Sequence, residues 1–398
     1  MAVDSSPRDV VALVVPAWGS VISAPHVCWV VVDDAGIQVS PVYKFMIELA
    51  AAGCSPSTRR SYCYDLLRWW RFCLAVDVPW QAAGREEVRD FVRWLQVKDN
   101  PQRHRRAPAG VTRPPAGTIN AATGKTYLKA GYAARTINHA LSVLSAFYAF
   151  AYENGLGTSW NPVPGGKSTR RDGSTLPRRA RYRQKMPVFQ PRSVPEDLLQ
   201  RLFEALEYDR DRALVAVALS SGARAGELLS MTVAGVDAGQ GVLAIEPKGG
   251  LGSRVWIPAA PESFVWIARY LASRPQAPLP GEPLWLGLRA PSRPLTYFGL
   301  RQDLERANAK LGTNLSWHDF RHTFSHRILA DEAMTLSDAQ ALMRHRSLAT
   351  LETYATARLD ELVSALHRHL AKPAPPEPTP GPGFAAEDLG VLFPGMTL

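Results

Sequence analysis

"HDFRHTFSH" (His318–His326) places histidines at 318, 322 and 326. On a helix, residues four apart share one face, so the three imidazoles would form a row. Such a row suits a metal ion. However, Arg321 stands among them and Arg327 follows directly, and a guanidinium beside a cation opposes metal binding. A metal-ligating histidine also normally has a carboxylate or carbonyl behind it. The other tenant for such a face is a phosphate, whose oxygens accept arginine forks and imidazole N–H groups. On these residues alone the face could serve a metal, a phosphate or neither, and the arginines weigh against the metal.

Three further segments belong with this one. "SSGARAGELLSM" (Ser220–Met231) spaces Arg224 and Glu227 as helix neighbours. "EPKGGLGSR" (Glu246–Arg254) sets Lys248, the only lysine between Lys185 and Lys310, in a Gly-rich turn. "MRHRSLATLETYATA" (Met343–Ala357) has His345 with Tyr354 nine residues later. Taken singly, each has an ordinary structural reading. Arg224–Glu227 would be a helix ion pair worth about 0.3–0.5 kcal/mol, Lys248 a hairpin lysine and His345 a satisfied core residue. Tyr354 would be a packed ring donating its hydroxyl to the backbone.

As a set they meet the needs of one reaction, attack of a tyrosine on a phosphodiester. A tyrosine hydroxyl titrates near pH 10, so only about one in a thousand is ionised at pH 7, and it needs a base or cationic surroundings. Two arginines can clamp the non-bridging oxygens of the five-coordinate phosphate. A lysine on a hairpin can protonate the leaving 5′-oxygen, and histidines can bond the phosphate and exchange the nucleophile's proton. The cations are then side chains, and neither metal nor cofactor is required.

Composition is compatible with this. A chain of 398 residues with 46% hydrophobic and 21% charged residues is globular and long enough for two or three domains. The net charge of +10 and pI of about 9.6 favour a polyanionic partner. Arginine far outnumbers lysine and is the better fork for phosphate, although a nucleotide bias of the source genome gives the same excess. Cys28, Cys54, Cys63 and Cys73 form no C-x-x-C pair, which argues against zinc or a disulfide framework and for a reduced cytoplasm. "VVALVVPAW" (Val10–Trp18) is too short to span a bilayer and lacks a basic flank, so neither membrane nor export is expected.

Residues 1–40 suggest a few strands or an extended arm. From Pro41 to about Gly155, helical stripes dominate. They place Tyr62, Leu66, Trp69, Trp70 and Cys73 inward after a cap at Ser57 or Thr58, then Val88, Phe91, Val92 and Leu95, then Ile137, Leu141, Leu144 and Tyr148. Between the last two helices runs a long basic loop (Lys98–Gly131). A second basic stretch, Asn161–Pro187, carries seven cationic residues between Arg170 and Lys185. It reads as a linker suited to a polyanion lying between two domains, or as a solvated tether. Ser193 and Glu196 have capping-box spacing. "GVLAIEPKGGLGSRVWIP" (Gly241–Pro258) reads as a β-hairpin, Pro261–His369 as mostly helical, and the end of the chain as a Pro-rich tail.

The order Arg, Lys, His-x-x-Arg, His, Tyr resembles the tyrosine recombinase (phage integrase) family. "GARAGELL" is similar to that family's first arginine box, Gly-Leu-Arg-Ile-Ser-Glu-Leu. "HDFRHTF" is similar to His-Asp-Leu-Arg-His-Thr-Phe, and "RHRSLATLETY" to Gly-His-Ser-Ser-Ile-x-Thr-Thr-x-x-Tyr. The helical region with "SPSTRRSYCYDLLRWWRF" resembles the family's core-binding domain, so the likeness runs over about residues 41–370. Three departures stand out. Arg344 replaces the glycine before the histidine, which implies a tolerated helix start or an added phosphate contact. Pro247 precedes the lysine where glycine is common, and the Lys248–Arg254 span is slightly long.

The resemblance implies a mainly α fold with a small β-sheet, made of an all-α core-binding (SAM-like) domain and an α+β catalytic domain. The expected division is 1–40 as an N-terminal extension, 41–160 core-binding, 161–192 linker, 193–371 catalytic and 372–398 tail. The implied catalytic residues are Arg224, Lys248, His318, Arg321, His345 and the nucleophile Tyr354. On this resemblance His318 and Arg321 face a phosphate, His322 is a structural neighbour within the same box, His326 is packing or surface, and no metal is held. The implied activity is site-specific cutting and rejoining of double-stranded DNA through a 3′-phosphotyrosyl bond, for integration or excision of a mobile element. It would proceed without metal or ATP, in a homotetramer on two sites in the bacterial cytoplasm at the nucleoid. An accessory DNA-bending or directionality protein is compatible with it. The helix Leu359–Leu370 would dock on a neighbour or cap its own domain. A type IB topoisomerase would relax supercoils with a similar set of groups, and a binding-only relative would lack one of them.

Overall fold

A computed structural model describes residues 8–100, 114–127, 129–165, 180–186, 193–247, 252–289, 292–331 and 333–344, together with the backbone of two short strands within 167–177. The fold is mostly helical, with three small antiparallel sheets.

The first half packs around β1 (Ser20–Ala24), β2 (Cys28–Val32), α1 (Ser40–Ala51), α2 (Pro56–Ala75), α3 (Arg85–Val97) and α4 (Ala134–Glu153). Helix α2 starts earlier than expected. Ser55 rather than Ser57 or Thr58 is its cap, accepting the Thr58 amide at 3.2 Å, and Pro56 fits the first turn because its missing N–H would have no helical partner. The apolar stripes of α2, α3 and α4 meet in one core of Leu66, Trp69, Phe72, Phe91, Leu95, Leu144 and Phe147. Burying each such side chain contributes about 1.5–3 kcal/mol. The polar atoms among them are paired. Trp69 Nε1 donates to Tyr148 Oη (3.1 Å), which donates to the Trp80 carbonyl (2.6 Å). The β1–β2 hairpin contributes Val30, Val31 and Val32 to the buried interior, and Arg71 of α2 holds the backbone before it through the carbonyls of Trp18 (2.6 Å) and Gly19 (2.7 Å). Residues expected as an extension thus pack with the helices. The end of the basic linker also lies along α4, where the Gln184 amide donates to Asn138 Oδ1 at 2.7 Å. Earlier in the linker, β3 (Lys167–Thr169) pairs with β4 (Thr175–Pro177).

The second half has its own core, from Val194 to Phe320. Its elements are α5 (Glu196–Ala205), α6 (Asp209–Ser221), α7 (Ala225–Leu229), the sheet β5 (Val236–Asp237), β6 (Val242–Ile245), β7 (Val255–Pro258), and the helices α8 (Pro261–Ala272), α9 (Tyr297–Leu311), α10 (Trp317–Ala330) and α11 (Leu336–Met343). Ala213–Leu219 of α6 are all buried, which makes it the central helix, packed between α8 and α10. The expected hairpin is β6–β7, with Leu243 opposite Ile257. The expected Ser193–Glu196 box is absent: Pro195 precedes α5 and Glu196 instead pairs with Arg327 at 2.5 Å. The start of α5 is thereby tied to α10 twice, as the Val194 amide also donates to Thr323 Oγ1 at 2.9 Å.

The two halves also meet through the loop after α3. Its segment Thr118–Tyr127 lies against the turn between α9 and α10.

Candidate active site

The site is organised by the turn that ends α6. Gly222 closes that helix in the left-handed conformation (φ 59°), and a Cβ there would lie 2.2 Å from the Phe324 ring. Backbone freedom and close approach both demand glycine. Two residues on, Arg224 sits at the start of α7, with its amide on Glu227 Oε2 (2.9 Å) and Nη1 on Oε1 (2.6 Å).

Arg321 arrives from α10, 99 residues away in sequence, and donates Nη1 to the Gly222 carbonyl at 2.5 Å. Its Nη2 donates to the Met343 carbonyl at the end of α11 (2.5 Å), and the residue is only 2% exposed. Arg344 caps α11 in the left-handed conformation (φ 52°) instead of starting a helix. Its guanidinium turns inward to Glu227 Oε2 at 2.9 Å and to the carbonyls of Leu342 (2.7 Å) and Gly222 (3.4 Å). Arg344, read from the sequence as a helix start or an added phosphate contact, thus ends a helix and pairs with Glu227. Burial works against the charge of Glu227, but Arg344, the Arg224 amide and the Arg224 guanidinium outweigh it and hold its carboxyl below the usual carboxylate range. Burial also lowers the pKa of Arg344, against the pull of Glu227.

His318 and His322 share a face of α10 as expected, with ring centroids 4.1 Å apart. His318 reaches the surface. Partial loss of hydration lowers its pKa, as do the charges of Arg321, Arg224 and Lys125, with Asp319 opposing. His322 is buried and is pushed down to about 4, first by desolvation and then by His318. Both rings are then neutral at pH 7, as a proton acceptor must be. Asp319 secures the first turn of α10 by accepting the Ser316 amide (2.6 Å) and hydroxyl (2.7 Å).

The structure thus brings together Arg224, Arg321 and His318. Lys248, His345 and Tyr354 lie outside the described residues, as does the segment Leu359–Leu370 expected as a helix. Sequence reasoning missed Arg344 as a partner of Glu227, although its replacement of a glycine was a signal. It also missed Lys125, whose partners are nearly two hundred positions away and leave no local trace. Among the described residues, no group of three or more His, Cys, Asp or Glu is placed to hold a metal ion, and no helix is long and apolar enough to cross a membrane.

Comparison with known proteins gives a consistent result. A model of the phage integrase family matches residues 192–360. Tyrosine recombinase XerD of Pseudomonas aeruginosa is 30% identical over 326 residues, covering 79% of this chain and 92% of that protein. XerD of Xanthomonas axonopodis pv. citri is 29% identical over 57% of this chain and 73% of that protein. Among solved structures, a lambda integrase (75–356) dimer bound to a COC′ core site superposes with a TM-score of 0.52 at 15% identity, covering 78% of this chain and 96% of that one. The XerH site-specific recombinase bound to difH substrate gives 0.50 at 15% identity, covering 83% and 84%. These two likenesses concern the fold. With the relative from Pseudomonas spanned almost end to end, the chain belongs to the tyrosine recombinase family, phage integrases included, and is an enzyme that cleaves and rejoins DNA.

Proposed function

We propose that the chain is a site-specific recombinase acting on double-stranded DNA, with Tyr354 as nucleophile. Tyr354 attacks the scissile phosphate, forming a 3′-phosphotyrosyl bond and releasing a 5′-hydroxyl. The partner strand's 5′-hydroxyl then reverses the step. The phosphodiester's energy is conserved in the enzyme–DNA bond, so no ATP is consumed. Arg224, Arg321 and His345 stabilise the phosphorane, His318 accepts the tyrosine proton, and Lys248 protonates the leaving oxygen. The observation that carries this reading is the convergence of Arg224 and Arg321 on the single turn at Gly222, with a neutral imidazole beside them. Side-chain cations supply the charge stabilisation that a metal would otherwise give.

The finer reading follows the same line. The halves built on the two cores act as a core-binding and a catalytic domain around the duplex, joined by the basic stretch Asn161–Pro187. Four chains assemble on two sites, and the exchange integrates or excises a mobile element.

The test is covalent trapping on a nicked substrate from the ends of the native DNA element. An SDS-resistant, protease-sensitive adduct at the 3′ side is expected from the wild type, with or without EDTA, and not from Tyr354→Phe. Tight binding without any adduct would refute the catalytic assignment. Supercoil relaxation without site preference would favour a topoisomerase.

A further inference from the structure

The long loop between α3 and α4 is basic, which suggests a DNA contact, yet its described end faces the other domain. Thr118–Tyr127 forms a self-supporting knuckle. The Asn120 amide donates to the Lys125 carbonyl (2.9 Å), the Gly124 amide to the Asn120 carbonyl (2.8 Å) and the Tyr127 amide to the Thr118 carbonyl (2.7 Å). Asn120 Oδ1 accepts the amides of Ala122 (3.0 Å) and Thr123 (2.9 Å).

The outward polar groups of this knuckle meet the turn between α9 and α10. Asn120 Nδ2 donates to the Gly312 carbonyl at 2.7 Å, and Asn314 Nδ2 donates back to the Lys125 carbonyl at 3.0 Å. Lys125 Nζ reaches Asp319 Oδ2 at 2.6 Å, Ser316 Oγ at 3.2 Å and the Asn314 carbonyl at 3.3 Å. An ammonium has three hydrogens, and all three have acceptors here. Asp319 is the residue next to His318 in the first turn of α10.

We propose that the Thr118–Tyr127 knuckle is an interdomain latch coupling clamp closure to catalysis, with Lys125 as a positioning residue for His318 that acts through Asp319. This rests on the reading of His318 as proton acceptor. The charged and titratable groups around that imidazole are Asp319, Arg321 and His322 of its own helix, Arg224 at the start of α7, and Lys125 from the knuckle. Docked, Lys125 balances Asp319, and the ring stays neutral and able to accept a proton. Undocked, Asp319 loses its ion-pair partner and pulls the ring further towards the imidazolium, which cannot accept a proton, with burial, Arg321 and Arg224 still opposing it.

The test uses the full chain and measures the single-turnover rate of adduct formation on nicked DNA across about pH 5.5–8.5, the range in which histidine titrates. Lys125→Met should form adduct more slowly at the acid end of this range, by up to about tenfold where the imidazole is mostly protonated, with the loss closing towards pH 8.5, so that its rate rises at a higher pH than the wild type's, since one pKa unit is tenfold in protonation. DNA affinity should stay within about twofold, and Lys125→Arg should restore the rate by keeping the charge. Asp319→Asn should add no further loss in the Lys125→Met background. A wild-type rate and pH profile in Lys125→Met would overturn the latch, as would a rate loss matched by an equal loss of affinity, which would make Lys125 a DNA contact. His318→Gln separates the two readings. If it cleaves like the wild type, the role of His318 falls. If it is inactive while Lys125→Met is normal, only the latch falls.

Discussion

Arg224 and Arg344 hold opposite oxygens of one buried carboxylate, with Arg224 Nη1 2.6 Å from Glu227 Oε1 and Arg344 Nη2 2.9 Å from Oε2. Glu227 is 1% exposed, so neither its charge nor the position of either guanidinium is left to solvent. Replacing Arg344 by glycine removes a left-handed conformation that costs an L-residue about 1–2 kcal/mol. It also takes one of two guanidiniums from a buried carboxylate that Arg224 still holds, so the loss falls at the low end of the about 3–5 kcal/mol for a broken buried pair. Arg344→Gly should therefore lose about 2 kcal/mol in urea unfolding and also cleave more slowly, because Arg224 loses its fixed neighbour. A more stable variant would show that the pair contributes nothing.

Arg321 links the ends of α6 and α11 through their carbonyls. Arg321→Ala should reduce single-turnover cleavage at least about 100-fold, the usual effect of losing one preorganised charge-stabilising donor. Arg321→Lys should rescue little, since an ammonium cannot reproduce the planar fork. Adduct formation at the wild-type rate by either variant would remove Arg321 from the site.

Gly222 tolerates no Cβ, by conformation and by its approach to Phe324. Gly222→Ala should cost about 1–2 kcal/mol for the left-handed backbone and about 1–3 kcal/mol for overpacking. Because its carbonyl receives Arg321 and Arg344, cleavage should fall with stability. Thermal melting and trapping on the same preparation would check both.

His322 is held to about 4 against an ordinary 6.5. The unfolded chain therefore takes up a proton that the folded one refuses. Stability from this source is complete above pH 6.5 and is lost as pH falls towards 4, by an amount on the order of 3 kcal/mol. His318, also lowered, acts in the same direction. His322→Asn should flatten the acid limb of a melting-temperature profile relative to the wild type. An unchanged limb would contradict the burial argument.

Much of this was legible because it is periodic or boxed. Val88, Phe91, Val92 and Leu95, and Ile137, Leu141, Leu144 and Tyr148, repeat at helical spacing and are all buried. Tyr62 on the first stripe is only half-buried, at the rim of the core. Helix starts were less legible, because Ser55, Ser57 and Thr58 all carry a hydroxyl that could cap α2 and only Ser55 does so, while α5 follows Pro195 with no side-chain cap at all. In the site, Arg224, His318 and Arg321 could be read from short motifs. The Arg344–Glu227 and Lys125–Asp319 contacts span 117 and 194 residues, and no local pattern encodes such pairs.

The knuckle at Thr118–Tyr127 also bears on how the chain is made. Every buried member of the first core lies between Val10 and Ala151, whereas the acceptors for Lys125 lie from Asn314 to Asp319. During synthesis the amino-terminal unit emerges and folds first, so for a time Asn120 and Lys125 stand on a finished surface with their partners not yet translated. The internal bonds from Asn120 then keep the segment in shape until α10 leaves the ribosome. Docking of the turn between α9 and α10 onto this waiting segment would be the step that turns two separately folded units into one enzyme.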